Sequence, residues 1–265
     1  MPQRWKLTIE YDGTNFAGWQ RQDNVLSVQE CIEKAVHGFC AETVTVHVAG
    51  RTDAGVHATG QVAHIDLEKG ADEKTVRDAI NFHLRPNPVA VVKAEPVGPD
   101  FHARFSAVYR VYCYKIIMGR RADVVLHKNR AWHVSWDLDV GKMNKAAKHL
   151  LGHHDFSSFR AAECQANSPM RTLSRLEFTE NKSAFDFGHH IELWAEARSF
   201  LHHQIRNMVG TLKLVGEGKW QPDDVKTVLE AKDRTKAGAM APAHGLYFAR
   251  VDYPGTFTKA MDSLL

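Results

Sequence analysis

Gly50-Arg51-Thr52-Asp53-Ala54-Gly55-Val56-His57-Ala58 is a nine-residue loop with two glycines around one carboxylate. It lies between two runs of alternating apolar residues. Val44, Val46 and Val48 precede it, and Ala63, Ile65 and Leu67 follow it. Period-two alternation on both sides predicts strands, and the glycines predict a tight connection at a sheet edge. Such a connection holds Asp53 in place with Arg51 two residues away. A rigidly held carboxylate beside a cation suits a nucleophile or general base. A turn-shaping Asp is the plainer alternative, since Asp and Gly are common in turns.

The flanking sequence extends the pattern. Trp5, Leu7, Ile9 and Tyr11 alternate as a first strand. Ser27-Val28-Gln29-Glu30 reads as a capping box before a helix striped by Val28, Ile32, Ala35, Val36 and Phe39. Asp72 caps a second helix carrying Val76, Ala79, Ile80 and Leu84, which Pro86 and Pro88 end. Val89 to Val97 is a further strand. The second half runs in the same order. Ser106 to Ile117 is a strand, and Met143, Ala146, Ala147, Leu150 and Leu151 mark a helix stopped by Gly152. Arg171 to Thr179 and Phe185 to Ala197 form an antiparallel pair turning near Asn181–Ser183. Leu201, Ile205, Met208, Val209 and Leu212 stripe a helix starting after Ser199; a short helix near Asp223–Ala231 and a strand near Leu246–Val251 follow. Two βαββαβ units are two ferredoxin-like halves, so the expected class is α+β, with domains 1–103 and 104–265.

Composition narrows the class. The 265 residues suffice for one large domain or two ordinary ones, and 44% hydrophobic with 25% charged residues is globular. No apolar run is long enough for a transmembrane helix, and no signal-peptide apolar region opens the chain, so a cytoplasmic protein is expected. Cys31, Cys40, Cys113 and Cys164 are widely spaced and read as reduced thiols. The net charge is only +3, but seven cations against one acid, Asp123, fall between Phe101 and Arg130. That clustering reads either as a solvated surface or as a phosphate-facing one. Sixteen histidines raise the question of a metal. The pairs His153-His154, His189-His190 and His202-His203 are adjacent, and neighbours on a helix or strand point apart, so no metal site is expected.

Six collinear blocks carry a resemblance. They are Tyr11-Asp12-Gly13-Thr14-Asn15-Phe16-Ala17-Gly18-Trp19-Gln20, the Asp53 loop, and Phe101-His102-Ala103-Arg104-Phe105-Ser106-Ala107 with Arg110, Tyr112 and Tyr114. His154-Asp155-Phe156-Ser157-Ser158-Phe159 follows. Then come Phe200-Leu201-His202-His203-Gln204-Ile205-Arg206-Asn207-Met208-Val209-Gly210 and Ala241-Pro242-Ala243-His244-Gly245-Leu246-Tyr247. Together they resemble the tRNA pseudouridine synthase A family. Gln204 stands where many relatives carry methionine, and His244 interrupts the proline-rich form of the last block.

The resemblance implies two domains whose antiparallel sheets join, with a central catalytic cleft. It implies isomerisation of uridine to pseudouridine at positions 38, 39 and 40 of the tRNA anticodon arm, by a homodimer and without a cofactor. Asp53 matches the family's catalytic aspartate, Arg206 the arginine that pairs with it, and Tyr112 the active-site tyrosine. Arg206 also falls off the apolar stripe of its helix, as a partly buried polar residue would. Arg51 matches a base-flipping or phosphate-contacting position, and Leu246 the apolar wall of the uracil pocket. Arg110, on the same strand face as Tyr112, joins Arg51, Tyr112 and Leu246 as a substrate contact. Tyr114 reads as a core tyrosine, and Phe16, Trp19 and Gln20 as loop packing. A non-catalytic RNA-binding protein is the competing reading, because ferredoxin-like sheets are also RNA platforms. It would call for aromatic stacking motifs on central strands, which the sequence does not display. A metal hydrolase built on the histidines is a remote third.

Overall fold

The structure is a computed structural model that describes residues 2–181 and 188–254. The chain runs through β1 (Gln3–Tyr11), α1 (Val28–Cys40), β2 (His47–Val48), β3 (His57–Leu67), α2 (Glu73–Leu84) and β4 (Val89–Val97). It continues through β5 (Tyr109–Met118), β6 (Trp132–Val134), α3 (Val140–Ala147), β7 (Gly152–Asp155), β8 (Met170–Asn181) and β9 (His189–Ala197). α4 (Gln204–Gly216), α5 (Pro222–Ala231) and β10 (Leu246–Asp252) complete it. The class is α+β, with mostly antiparallel strands. β6, parallel to β5, departs from that pattern. The chain divides into two compact units, 1–110 with the segment from 248 onward, and 111–247.

In the first unit the strand order is β4-β1-β3-β10, with β2 also on β3. Trp5, Leu7, Ile9 and Tyr11 are buried on one face of β1, as their alternation predicts. α1 and α2 cover the sheet with the apolar stripes Val28, Ile32, Ala35, Val36 and Val76, Ile80, Leu84. Ser27 Oγ accepts from Glu30 N–H (3.3 Å), and Asp72 Oδ1 accepts from Thr75 N–H (2.6 Å). Each cap is worth about 1 kcal/mol. Glu30 itself pairs with Lys34 (2.8 Å).

Two expectations change here. The strand before the Asp53 loop shrinks to His47–Val48, paired with His64 and Ala63. The Val44–Val48 alternation survives as alternating burial without a ladder beneath it. The loop also enters β3, an internal strand between β1 and β10, and not an outer edge. β3 is accordingly buried on both faces, with Val62, Ala63, His64 and Ile65 all inside.

In the second unit the strand order is β5-β9-β8-β7. β8 and β9 form the expected antiparallel pair, with Leu176 opposite Ala195 and Phe178 opposite Leu193. The expected turn at Asn181–Ser183 and the Phe185 strand start fall mainly outside the described residues. α4 begins at Gln204, later than its apolar pattern predicts. Leu201 is a buried residue of a turn that ends in a left-handed His203 (φ 61°), and Gln204 Oε1 accepts from Leu201 N–H (2.8 Å). α4 is buried nearly all round, including Arg206, Asn207 and Thr211.

Candidate active site

The Asp53 loop is clamped from beneath by the first motif. The Tyr11 hydroxyl and Thr52 Oγ1 share a hydrogen bond of 2.7 Å. Burial pushes the Tyr11 phenol up to about 12, so it keeps its proton at neutral pH. Trp19 N–H donates to Thr52 O (3.0 Å), and Gly13 N–H donates to His57 Nδ1 (3.0 Å). At the loop's other side Gln61 Nε2 donates to Gly50 O (2.8 Å). Two glycines let backbone meet backbone. A Cβ on Gly13 would stand 2.0 Å from Val56 O, and one on Gly18 (φ +104°) 2.6 Å from Thr52 O. Phe16 and Trp19 are buried beneath this arrangement, as loop packing requires.

Asp53 is thus half-buried at the top of a loop fixed at Gly50, Thr52 and Val56, while Arg51 points into solvent. Arg110 braces the loop's base. Its Nη2 donates to Ala49 O (3.1 Å) and Arg104 O (2.6 Å), and its Nη1 to Ala107 O (3.2 Å).

The second unit gathers the other candidates. Arg206 is 9% exposed on α4, and its Nε donates to Ala241 O (2.8 Å). The Tyr114 hydroxyl donates to Pro242 O (2.8 Å), and a Cβ on Gly245 would meet the Tyr114 ring at 2.6 Å. Tyr114 is fully buried, which raises its pKa strongly against a lowering pull from Arg206. It is a core tyrosine that shapes the Ala241–Leu246 segment. Leu246 is buried directly after Gly245. Tyr112 is half-buried on β5, edge-on to Phe200 with ring centroids 5.2 Å apart.

Asp53, Arg51 and Arg110 therefore belong to the first unit, and Tyr112, Arg206 and Leu246 to the second. The Tyr11–Thr52 hydrogen bond and the carbonyl cradle of Arg110 leave no local signal in the sequence. Tyr11 belongs to the β1 alternation, which hides its polar tip. Arg110 sits in a cationic run that suggests solvent and phosphate rather than backbone carbonyls.

His47, His64 and His102 form a cluster in the first unit, with candidate ligand atoms within 4.8 Å of one another. His64 Nδ1 accepts from Ala103 N–H (3.1 Å), and His102 Nδ1 accepts from Arg104 N–H (3.1 Å). Each neutral ring then carries its proton on Nε2. A metal-bound imidazole has the reverse arrangement, its far nitrogen donating outward. The cluster reads as a packing device that ties residues 102–105 to β3.

The family model described as tRNA pseudouridine synthase matches residues 7–106 and 146–254. The chain is 60% identical to the tRNA pseudouridine synthase A of Paramagnetospirillum magneticum, covering 97% of this chain and 98% of that one. It is 57% identical to that of Rhodospirillum centenum, covering 95% and 100%. It is 54% identical to that of Methylocella silvestris, covering 94% and 98%. Matches of this extent take in both units and every block discussed above, so the chain belongs to the tRNA pseudouridine synthase A family, whose members isomerise uridine in tRNA.

Proposed function

We propose that the chain converts uridine to pseudouridine at positions 38, 39 and 40 of the tRNA anticodon arm, with Asp53 as the nucleophile or base. The observation that carries this reading is the clamping of the Asp53 loop by backbone contacts at Gly13 and Gly18 and by the Tyr11–Thr52 hydrogen bond. A carboxylate that must meet one atom of a flipped nucleotide has to be held before substrate arrives. The reaction breaks the N1–C1′ bond and forms a C5–C1′ bond. The C5 proton leaves to solvent and N1 takes one up, so no oxidant, reductant or carried group is needed. Asp53 attacks C1′ or C6, or removes the 2′ proton.

Arg206 supplies the cation that pairs with Asp53, as family membership implies. Tyr112 stacks on the extruded base and offers a hydroxyl for proton movement at C5. Leu246 walls the uracil, and Arg51 holds the flipped nucleotide or its phosphate. Arg110, engaged by three carbonyls, acts on binding through the loop base it braces. The other cations between Arg104 and Arg130 face tRNA phosphates.

The chain order β1-α1-β2-β3-α2-β4 supports a ferredoxin-like first half, and β5-α3-β8-β9-α4-β10, with β6, β7 and α5 inserted in it, supports a second. We read the working form as a homodimer in the cytoplasm, where tRNA is processed. The described cysteines are free thiols, and no helix among the described residues is long and apolar enough to cross a membrane. The test is position mapping by carbodiimide adduct and primer extension. Transcripts carrying one uridine at 38, 39 or 40 should each gain pseudouridine there. Modification confined to other positions would overturn the site assignment.

A further inference from the structure

The segment from Asp233 to Pro242 lies as a strap along one face of α4. Four residues of the helix hold it, spaced as a single helical face requires: Arg206 and Gly210, then Asn207 and Thr211. Ala241 N–H donates to Arg206 O (3.1 Å), and Arg206 Nε returns a bond to Ala241 O (2.8 Å). Gly238 N–H donates to Thr211 Oγ1 (3.0 Å). A Cβ on Gly210 would stand 1.8 Å from Ala239 O, so the strap and helix touch backbone to backbone.

The polar centre of the arrangement is Asn207, which is 1% exposed. Its Nδ2 donates to Phe159 O (2.9 Å), at the end of the His154–Phe159 motif. Its Oδ1 accepts from Arg234 Nη2 (2.9 Å), and Arg234 Nη1 reaches Ala237 O (3.4 Å). Arg234 therefore pins the strap to the helix one residue away from Arg206. Asp233 N–H donates to Ser158 Oγ (2.9 Å), which anchors the strap's start to the same motif.

We propose that Asn207 and Arg234 are positioning residues for Arg206. By fixing the strap they place the Ala241 carbonyl, and that carbonyl sets the plane of the Arg206 guanidinium through Nε. A planar fork with one edge committed has a defined direction for its Nη1–Nη2 end, which is what a bidentate carboxylate partner requires. The proposal rests on the reading of Arg206 as the partner of Asp53. It also accounts for the His154–Phe159 motif, because Phe159 and Ser158 are the outer anchors of the same chain of bonds.

The test is a double-mutant cycle read by steady-state tritium release from C5-labelled tRNA. Arg234→Met keeps the apolar stem and removes the fork. It should lower kcat at least tenfold with KM for tRNA within twofold, and Arg234→Lys should recover part of the loss. In an Arg206→Lys background, Arg234→Met should cost less than threefold further, because the group it positions is already altered. Equal losses in both backgrounds would overturn the proposal and make the strap merely structural. So would a kcat for Arg234→Met within twofold of the parent. If Arg206→Lys itself retains parental turnover, the reading of Arg206 fails first, and the cycle shows that directly.

Discussion

Gly18→Ala should separate the position of the Asp53 loop from the stability of the fold. Gly18 has φ +104°, where an L side chain is strained by about 1–3 kcal/mol. Its new Cβ would lie 2.6 Å from Thr52 O, 3.1 Å from the Asp53 carbonyl carbon and 3.2 Å from Ala54 N. An ordinary contact begins at 3.4 Å, so Thr52 O must retreat by about 0.8 Å (3.4 less 2.6). That retreat stretches the Trp19 N–H···O bond, now 3.0 Å, and carries Asp53 with it. A misplacement near 1 Å at a reacting group costs on the order of 100-fold in rate. The melting temperature should fall by roughly 2–12 °C, at about 2–4 °C per kcal/mol for a chain of this size. Tritium release at saturating tRNA gives kcat, and a thermal melt gives the stability. Gly70→Ala is the control, since its Cβ would meet nothing within 4 Å. A Gly18→Ala enzyme that melts early yet keeps kcat within threefold of the parent would refute the link between this backbone contact and catalysis.

Burial, then His47, Arg4 and His102, push His64 down to about 4, against a smaller opposing pull from Asp66. The unfolded imidazole titrates near 6.5, so between pH 6.5 and 4 the unfolded chain binds a proton that the folded one does not. His64 therefore contributes stability above pH 6.5 that is lost as pH falls toward 4, by at most about 3 kcal/mol. His64→Asn should flatten that slope in urea melts, and an unchanged slope would contradict it. Tyr114→Phe leaves the half-buried Pro242 carbonyl short of its donor and should cost about 0.5–1.5 kcal/mol in denaturant unfolding; a silent change would show that the bond does not hold the segment. Arg120→Glu with Arg121→Glu should weaken tRNA binding and flatten its dependence on salt, with turnover intact at saturating tRNA. Parental affinity and slope would remove this stretch from the tRNA path.

Elements were legible where a local signal and the final environment agree. β4 spans Val89–Val97 as expected, because Pro86 and Pro88 mark its start and Val89, Val91 and Ala94 are buried, on either side of a bulge at Val92. α2 follows from Asp72 and the Val76, Ile80, Leu84 spacing. The strand before the Asp53 loop is shorter than its pattern predicts, since alternating burial at Val44–Val48 does not require a ladder partner. The apolar stripe places the start of α4 too early because Leu201 continues it, while the positive φ of His203 breaks the helix. Asp53 could be singled out from its loop. The support beneath it could not, because Tyr11, Gly13 and Gly18 reach it only through tertiary contacts. Likewise Gly210 and Thr211, four residues after Arg206 and Asn207, looked like ordinary helix positions until the strap lay over them.

Asp53→Asn is the most direct test of the account. The substitution keeps the shape of the side chain and removes the charge on which each route for this carboxylate depends. With C5-tritiated tRNA and enzyme in excess, the variant should bind tRNA with parental affinity and release no tritium above background. Release at the parental rate would contradict the account, since the clamped loop would then be holding a residue that the reaction does not use.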